Sequence, residues 1–287
     1  MQDVRFPDDA ADAIYLVNGT TVTDDGTVDL LDGGRDHDFA PLGQDDGELT
    51  RVELAVAPIL ADVSAATFSD PLTIDNTYLP WRVGDRTVYL VEKVNDETGE
   101  IEVERIVVEV LDETRTIMGV ETRSVRDRVF LNGLLIEDAT DFYGQDDADN
   151  VWYFGEVVTD FEYDDEGNLI GTSSPGAWIA GENGALPGII MFADPQVGTN
   201  HYQEFALLND AIDQAVITAL DAEVENDLGL FTDVLVSLEF TELEPDVMEN
   251  KLLAPGLGLV QIQENLDENG VPGSIVKLLS FTAGSAP

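Results

Sequence analysis

Short segments in which apolar and polar residues alternate recur along the chain from residue 87 to residue 281, with turn-forming residues between them. Alternation with a period of two is typical of strands with one buried face, and a regular succession of such strands is typical of all-β folds. Asn132-Gly133 is the strongest hairpin signal, because both residues tolerate the positive φ angles of a tight turn. The pattern predicts an all-β protein with minor α content, whose curved antiparallel sheet forms a barrel or half-barrel.

The segments predicted as strands are Thr87–Val94, Ile101–Leu111, Glu121–Leu131, Leu134–Tyr143, Val151–Glu156, Thr159–Tyr163, Leu169–Ser173, Gln214–Glu223, Phe231–Leu243, Met248–Leu253, Leu257–Glu264 and Ser274–Phe281. Within Ile101–Leu111 the apolar positions change phase, which predicts either a β-bulge or a strand buried on both faces. His201–Asp213 is predicted to include one short helix, and Pro58–Thr67 is interpreted as a short helix or a connector.

Residues 1–66 have a weaker pattern and are interpreted as an acidic, Gly/Asp-rich β appendage docked on a main β domain at residues 67–287. The strand candidates there are Ala13–Val17, Thr20–Val22, Thr27–Leu31 and Leu49–Val56. The polar loop Asp32–Asp38 has oxygen ligands for Ca²⁺, but its spacing does not fit an EF-hand, so a solvated loop is the simpler interpretation.

The charge is extreme, with 59 acidic against 13 basic residues and a formal net charge of −46. A chain of this charge repels nucleic acids and anionic membranes, so neither is expected as a partner. Two explanations fit the acidity: a saline or marine habitat, in which ions screen the repulsion, or specific binding of divalent cations.

No apolar run is long enough to span a membrane, and the chain has no cysteine for disulfides or thiolate metal sites. No leader pattern follows Met1, which fits both a mature exported form and a cytoplasmic protein.

Two aromatic strands around residues 141–144 and 151–156 flank an acidic turn, and this hairpin is the centre of the pattern. The turn places four oxygen-bearing side chains within five residues, namely Asp146, Asp147, Asp149 and Asn150. Hard cations prefer such ligands, so these residues are the candidate Ca²⁺ site. A second acidic turn, Asp164–Asn168, is a weaker candidate. The alternative is that Asp, Asn and Gly are present for turn geometry alone.

Catalysis has little support in the sequence. It contains no Gly-x-Ser-x-Gly elbow and no His-Glu-x-x-His motif, and only His37 and His201 could act as an imidazole base. Each histidine is interpreted as an ordinary surface side chain or as one with satisfied hydrogen bonds. Paired carboxylates could hydrolyse glycosides, but so many acidic residues make pairing uninformative. Four aromatic residues would either stack on sugars or belong to the core, namely Tyr143, Trp152, Tyr153 and Trp178.

Eight of the 13 basic residues lie between Arg82 and Arg128. Arg126 and Arg128 are two positions apart and therefore share one face of a strand. They would either line a concave site for an anionic ligand, together with Trp178 as a further candidate, or form ion pairs across strands. The acidic residues available for such pairs are Glu102, Glu104 and Glu109.

Five motifs in this order resemble a family of uncharacterised secreted bacterial β-rich proteins, over about residues 67–280. They are Phe68–Pro80, Thr114–Val120, Gln145–Glu156, Pro187–Met191 and Ala254–Val260. That family is distantly similar to envelope proteins with a curved antiparallel sheet, of the half-barrel kind that can hold an apolar ligand. The resemblance implies an exported location, whether secreted, cell-surface or periplasmic, and implies no catalytic residue.

The sequence therefore favours a secreted or cell-surface β protein without catalytic activity. It would bind an unknown small molecule or polysaccharide in the concavity of its sheet, or act as a surface module, with Ca²⁺ as a potential stabiliser. A polysaccharide-active enzyme that uses paired carboxylates is one alternative, and a structural or assembly protein is another. The oligomeric state and the role of residues 1–66 stay open.

Overall fold

The computed structural model describes residues 38–39, 52–53, 57–94, 99, 101–244 and 246–284. Its strands are β1 (Asp38–Phe39), β2 (Val52–Glu53), β3 (Ile74–Asp75), β4 (Pro80–Trp81), β5 (Arg86–Val94), β6 (Ile101–Ile117), β7 (Val120–Leu131), β8 (Leu134–Gln145), β9 (Val151–Tyr163), β10 (Leu169–Ser173), β11 (Trp178–Ile179), β12 (Leu186–Met191), β13 (Asn200–Tyr202), β14 (Glu204–Phe205), β15 (Gln214–Asn226), β16 (Gly229–Phe240), β17 (Met248–Ala254), β18 (Gly258–Leu266) and β19 (Pro272–Thr282). No helix among these residues is long and apolar enough to cross a membrane.

One antiparallel sheet contains most of the strands and is nearly closed into a barrel. Its path runs β13-β15-β16-β17-β18-β19-β5-β6-β7-β8-β9-β12-β14. The two end strands are consecutive in the chain and only Gln203 separates them. Residues 200–205 therefore pair with β15 on one side and with β12 on the other, which leaves a single seam. The predicted curved all-β sheet is confirmed.

The observed strands follow the predicted segments, with three corrections. Val151–Glu156 and Thr159–Tyr163 belong to one strand, β9. The predicted bulge within Ile101–Leu111 is wrong, because β5 and β6 pair without a shift and the irregularity comes later, between Val110 and Thr114. The strand is not buried on both faces there either, since Ile101 is 65% exposed.

The short helix predicted within His201–Asp213 is wrong, and of the two interpretations of Pro58–Thr67 the connector is the one observed. The described residues contain only single 3₁₀ turns at these places, Val63–Ala65 and Leu207–Asn209. Asp62 caps the first turn through a 2.9 Å bond from the backbone N–H of Ser64. The second ends at Asp210, whose left-handed backbone stops further helical hydrogen bonding. Residues 201–205 of this segment are largely extended, because they form the seam.

Tight turns set the register of the long hairpins. Asn132 and Gly133 have φ angles of 50° and 89° and directly join β7 to β8, as predicted. Met118 and Gly119 form the same kind of turn between β6 and β7, with φ angles of 49° and 86°. Two-residue turns with positive φ match the twist of antiparallel strands, so they extend the ladder without a loop.

The five sequence motifs meet at one end of the sheet. The backbone N–H of Gln145 donates to the carbonyl of Pro71, and that of Gly256 donates to Thr77. Gly188 of β12 pairs with Tyr153 of β9. A side chain at Gly144 would touch Val120 at 3.6 Å. The motifs are therefore explained as a common core built from distant segments, in which Phe154 is fully buried.

Residues 57–66 lie against the seam. Ile59 forms a parallel bridge with His201, and its backbone bonds to Asn200 and Tyr202 are 2.9 Å and 3.0 Å long. Ala61, Val63 and Ala66 pack against the main core. The division of the chain at residue 66 stays a prediction. Strands β1 and β2 pair with each other, while the strand candidates Ala13–Val17, Thr20–Val22 and Thr27–Leu31, and His37, lie outside the described residues.

Candidate functional site

The acidic tip of the β8–β9 hairpin is held by the carboxylate of Asp146, which is 7% exposed. Its Oδ1 accepts hydrogen bonds from the backbone N–H groups of Ala148 and Asn150, both at 2.9 Å. Its Oδ2 accepts the indole N–H of Trp152 at 2.8 Å. This one carboxylate therefore fastens the turn to the aromatic core beneath it.

The same turn occurs at three hairpins. Asp164 and Asp267 each accept two backbone N–H bonds from the residues two and four positions later, as Asp146 does. In each turn the fourth residue, Asp149, Gly167 or Gly270, has a positive φ of 66°, 79° or 74°. This is a type I turn followed by a bulge, and it accounts for the Asp-rich tips through backbone geometry.

The other candidate Ca²⁺ ligands also have hydrogen-bond partners. Asp147 accepts the backbone N–H and the hydroxyl of Ser69, both at 2.7 Å, and Asn150 Oδ1 accepts the N–H of Ala193 at 3.0 Å. Asp149 accepts a 3.3 Å bond from Gln145. Within the described residues, no three His, Asp or Glu side chains form a group that could hold a metal ion. An open groove of about 430 Å³ lies beside the tip. Calcium binding there stays a prediction.

Arg126 and Arg128 form ion pairs on the face of β7 opposite to Asp127. Arg126 binds Asp138 through two bonds of 2.7 Å and 2.5 Å, and Arg128 pairs with Glu109. The ion pair between Arg128 and Glu109, which the sequence analysis gave as one of the possible pairs across strands, is therefore present. Asp127 points to the other face, where it lies beside Ala139 and Val158 in register.

Trp178 is part of the core. It is 2% exposed and lies in a row of aromatic rings that runs Trp81, Tyr143, Tyr153, Trp178, with centroid distances of 4.2, 4.8 and 5.3 Å. The interpretation of the strand aromatics as core is confirmed, because Trp152, Tyr143 and Tyr153 are buried too. The indole N–H of Trp178 donates to Glu204 at 2.6 Å, which connects this row to a buried acid.

A group of carboxyl side chains that the sequence pattern did not reveal lies on the same side of the sheet; Glu204 is buried, and Asp127, Asp141 and Glu156 are half-buried. Burial raises the pKa of Asp127 to about 8, and the negative charges of Asp141 and Glu137 raise it further. Burial, with help from Glu156, raises the pKa of Asp141 to about 7, although a 3.0 Å bond from the Tyr153 hydroxyl opposes the shift. These groups hold protons at a pH where exposed carboxyl groups have lost them.

Two further acids extend the group to the seam. Burial and the charge of Glu204 raise the pKa of Glu156 to about 8. Burial and the charge of Asp213 raise the pKa of Glu204 to about 8, and the bond from Trp178 lowers it in part. These four residues, Asp127, Asp141, Glu156 and Glu204, are called the interior carboxyl cluster below.

Lys251 reaches this group from the opposite half of the sheet. Its ammonium lies 2.6 Å from Glu239 and 3.2 Å from Glu249. Burial alone would lower the pKa of Lys251, but the two glutamates outweigh burial and raise it. Its positive charge lowers the pKa of Asp127 and Asp141 in part. The closed sheet therefore brings β7 and β8 close to β17.

His201 lies in the seam and not at the surface, so its interpretation as a surface side chain is corrected. It is 1% exposed, and neither ring nitrogen has a hydrogen-bond partner. Phe192 packs edge-on against its ring at 4.8 Å. Burial lowers the pKa of His201 to about 4, against the opposing charge of Glu239 and the weaker opposing effect of the backbone at Thr199 and Ala215. The imidazole is therefore neutral at physiological pH.

A cavity of about 140 Å³ opens beside the interior carboxyl cluster. Glu156 and Trp178 form part of its wall, and Glu182, Asn183 and Asn209 contribute further polar groups. The amide nitrogen of Asn209 donates to the carbonyl of Ala177 at 2.7 Å, which fixes the side chain beside the cavity. The weak candidate Trp178 is therefore the one sequence-predicted residue that lines this space.

No family model and no curated protein match the sequence at a significant level. The chain is similar to a candidate exported protein with a YmcC-like fold from Bacteroides fragilis, with 12% identity, 72% of this chain and 100% of that chain covered, and a TM-score of 0.33. It is also similar to a candidate lipoprotein from Parabacteroides distasonis, with 12% identity, coverage of 72% and 99%, and a TM-score of 0.31. Similarity at this level assigns no function.

Proposed function

We propose that the protein is a non-enzymatic binding protein that holds a ligand in the concavity of its sheet. The observation that carries this proposal is the interior carboxyl cluster, whose four residues occupy inward positions of a nearly closed sheet. Buried ionisable groups cost stability unless they are paired, and apolar residues at the same positions would be more stable. Polar groups at such positions are typical of a binding site, where a few convergent polar groups orient a ligand.

A secreted or cell-surface location is part of the proposal. Its support is the resemblance of the five motifs to secreted bacterial proteins. The strongly acidic composition, with a net charge of −46, is compatible with a saline exterior, where ions screen the repulsion.

Thermal unfolding with three ligand classes tests the binding function: a long-chain fatty acid, neutral oligosaccharides and small organic amines. A ligand that binds the native state raises the melting temperature with its concentration. We expect one class to do so, and we expect the response to change in Asp141→Asn. The matched control is Asp165→Asn, in an exposed turn, which should respond like the wild type. A protein that melts at one temperature with every class has no such function.

An assembly function has one specific observation in its favour. Strand β10 pairs only with β9 in the described chain, and Ile170 on it is 65% exposed. An apolar edge strand can pair with a neighbouring chain. Light scattering would then show an oligomer that Ile170→Lys dissociates, whereas a monomer at high concentration argues against assembly.

The polysaccharide-active alternative needs an open aromatic platform. All tryptophan and tyrosine side chains among the described residues are buried or half-buried, so that part of the chain offers no such platform.

Calcium is tested separately by melting curves with Ca²⁺ and with chelator. A bound ion separates the two curves, and coincident curves exclude the site at the hairpin tip.

A further inference from the structure

We propose that the cavity beside Glu156 and Trp178 binds a small organic ammonium group. This inference rests on the proposed binding function and names its ligand class. The cavity has a volume of about 140 Å³ and is formed by β9, β11, the turn after β11 and the second 3₁₀ turn. That volume is well above the space that one water molecule needs.

The chemistry of the wall selects for a positive charge. Its polar side chains are the carboxyl groups of Glu156 and Glu182 and the amides of Asn183 and Asn209, and the lining contains no Lys, Arg or His. The wall is therefore rich in acceptors and would repel an anion. A divalent metal is disfavoured too, because no three acidic side chains in the described residues converge on one point.

Trp178 is also among the residues that line the cavity, although only 2% of it is exposed. Its N–H group donates to Glu204 at 2.6 Å, so Trp178 adds no free hydrogen-bond donor that would compete for an anion. Val157, which is 47% exposed, adds an apolar surface for the carbon substituents of such a ligand.

Charge balance explains why a cation would be favoured here. The groups that act on Glu156 are Glu204, Glu137 and Asp213, which are all acidic, and the Tyr153 hydroxyl. Without a cation, burial and these neighbours raise the pKa of Glu156 to about 8, so the carboxyl holds a proton at neutral pH. An ammonium ion would replace that proton, and binding would release it to the buffer.

Calorimetry with choline at pH 7 tests the proposal, with 3,3-dimethylbutanol as a neutral probe of the same shape. We expect choline to bind and the alcohol not to bind. The choline heat should differ between buffers with different heats of ionisation, because a proton leaves. Glu156→Gln should weaken binding at least tenfold and abolish the proton release. Glu162→Gln, an exposed position on the same strand, should change neither.

The outcomes separate this inference from the proposed function. Equal binding of choline and the neutral alcohol, or unchanged choline binding in Glu156→Gln, overturns the ammonium site. If choline fails while a fatty acid or an oligosaccharide raises the melting temperature, the ammonium site is wrong and the binding function stands. If no class binds, both fall. Gln is close in shape to a protonated Glu, so a folded Glu156→Gln variant is expected; circular dichroism verifies it.

Discussion

At the scale of single residues, aspartate has three physical roles in this chain. Asp146 closes a turn, Asp138 neutralises Arg126 on the outer face, and Asp127 is half-buried beside other acids. The side chain is the same, and the difference lies in what surrounds it. Donor groups lower the cost of burying a carboxylate, whereas a neighbouring acid raises that cost.

Removing the carboxylate of Asp146 should destabilise the fold strongly. Asp146→Ala leaves the indole N–H of the buried Trp152 without its acceptor and frees the turn backbone. We expect a loss of about 3 kcal/mol in the free energy of unfolding, measured with urea. Asp164→Ala removes the equivalent bonds from an exposed turn and should cost much less. Equal losses in the two variants would show that the core contact of Asp146 is unimportant.

Replacing His201 by leucine should stabilise the protein. The ring nitrogens are buried without partners, so the polar atoms are a cost that leucine removes. A gain of about 1 kcal/mol is expected. Gln203→Leu, two residues further on, removes a 3.0 Å bond to Glu239 and should destabilise instead. A loss of stability in His201→Leu would mean that the backbone at Thr199 and Ala215 satisfies the ring.

At the scale of elements, the seam is the weakest part of the sheet. β13 has three residue pairs with β15, and β14 has two with β12, whereas the central strands share long ladders. Closure also requires close contact between backbones. A Cβ atom at Gly188 would lie 2.4 Å from the backbone of Gln203, so only glycine allows β12 and the seam to approach.

Gly188→Ala should therefore open the seam. We expect the free energy of unfolding to fall by at least about 2 kcal/mol. Relative to the wild type, amide hydrogen exchange should be accelerated more in residues 200–205 than in β6 and β7. Gly171→Ala is the matched control, because its Cβ would meet only the flexible Glu162 carboxylate, at 3.1 Å. Uniform exchange changes over the whole sheet would contradict a local role for Gly188.

At the scale of the whole molecule, the raised carboxyl pKa values make stability depend on pH. Asp127, Glu156 and Glu204, with pKa values of about 8, and Asp141, at about 7, keep protons in the folded state that the unfolded chain releases near pH 4. The folded state therefore binds more protons between these limits, so its stability falls as the pH rises through the window.

Urea unfolding between pH 7.5 and pH 9 measures this effect with little contribution from His201, because an imidazole with the ordinary pKa of about 6.5 is largely neutral in this range in the unfolded chain as well as in the folded one. We expect the free energy of unfolding to fall by at least about 1.4 kcal/mol, the equivalent of one pKa unit in one group. In 1 M NaCl, surface repulsion is screened while buried interactions persist. Asp127→Asn should flatten the profile. Stability that is constant or rises over this range contradicts the raised pKa values.

The sequence determined the local structure. Alternation fixed the strands, and Asn132-Gly133 fixed a hairpin, because the period of two and the tolerance for positive φ are properties of neighbouring residues. The interpretation of Trp152, Tyr153 and Phe154 as core followed from the preference of aromatic side chains for half-buried strand surfaces and is confirmed. The Asp-rich tips were identified as turns with a potential metal site, and their turn geometry is observed.

Tertiary structure decided the site. Asp127 lies between Val125 and Val129 on the inward-facing side of its strand, and this position is a weak signal for an acid that faces the interior. Nothing in the neighbouring sequence connects Asp127 to Lys251 or Glu204. Those residues meet only because residues 200–205 join both edges of the sheet. Burial and the electrostatic interactions between charges depend on distances through space, and alternation along the chain defines a face without defining what that face will meet.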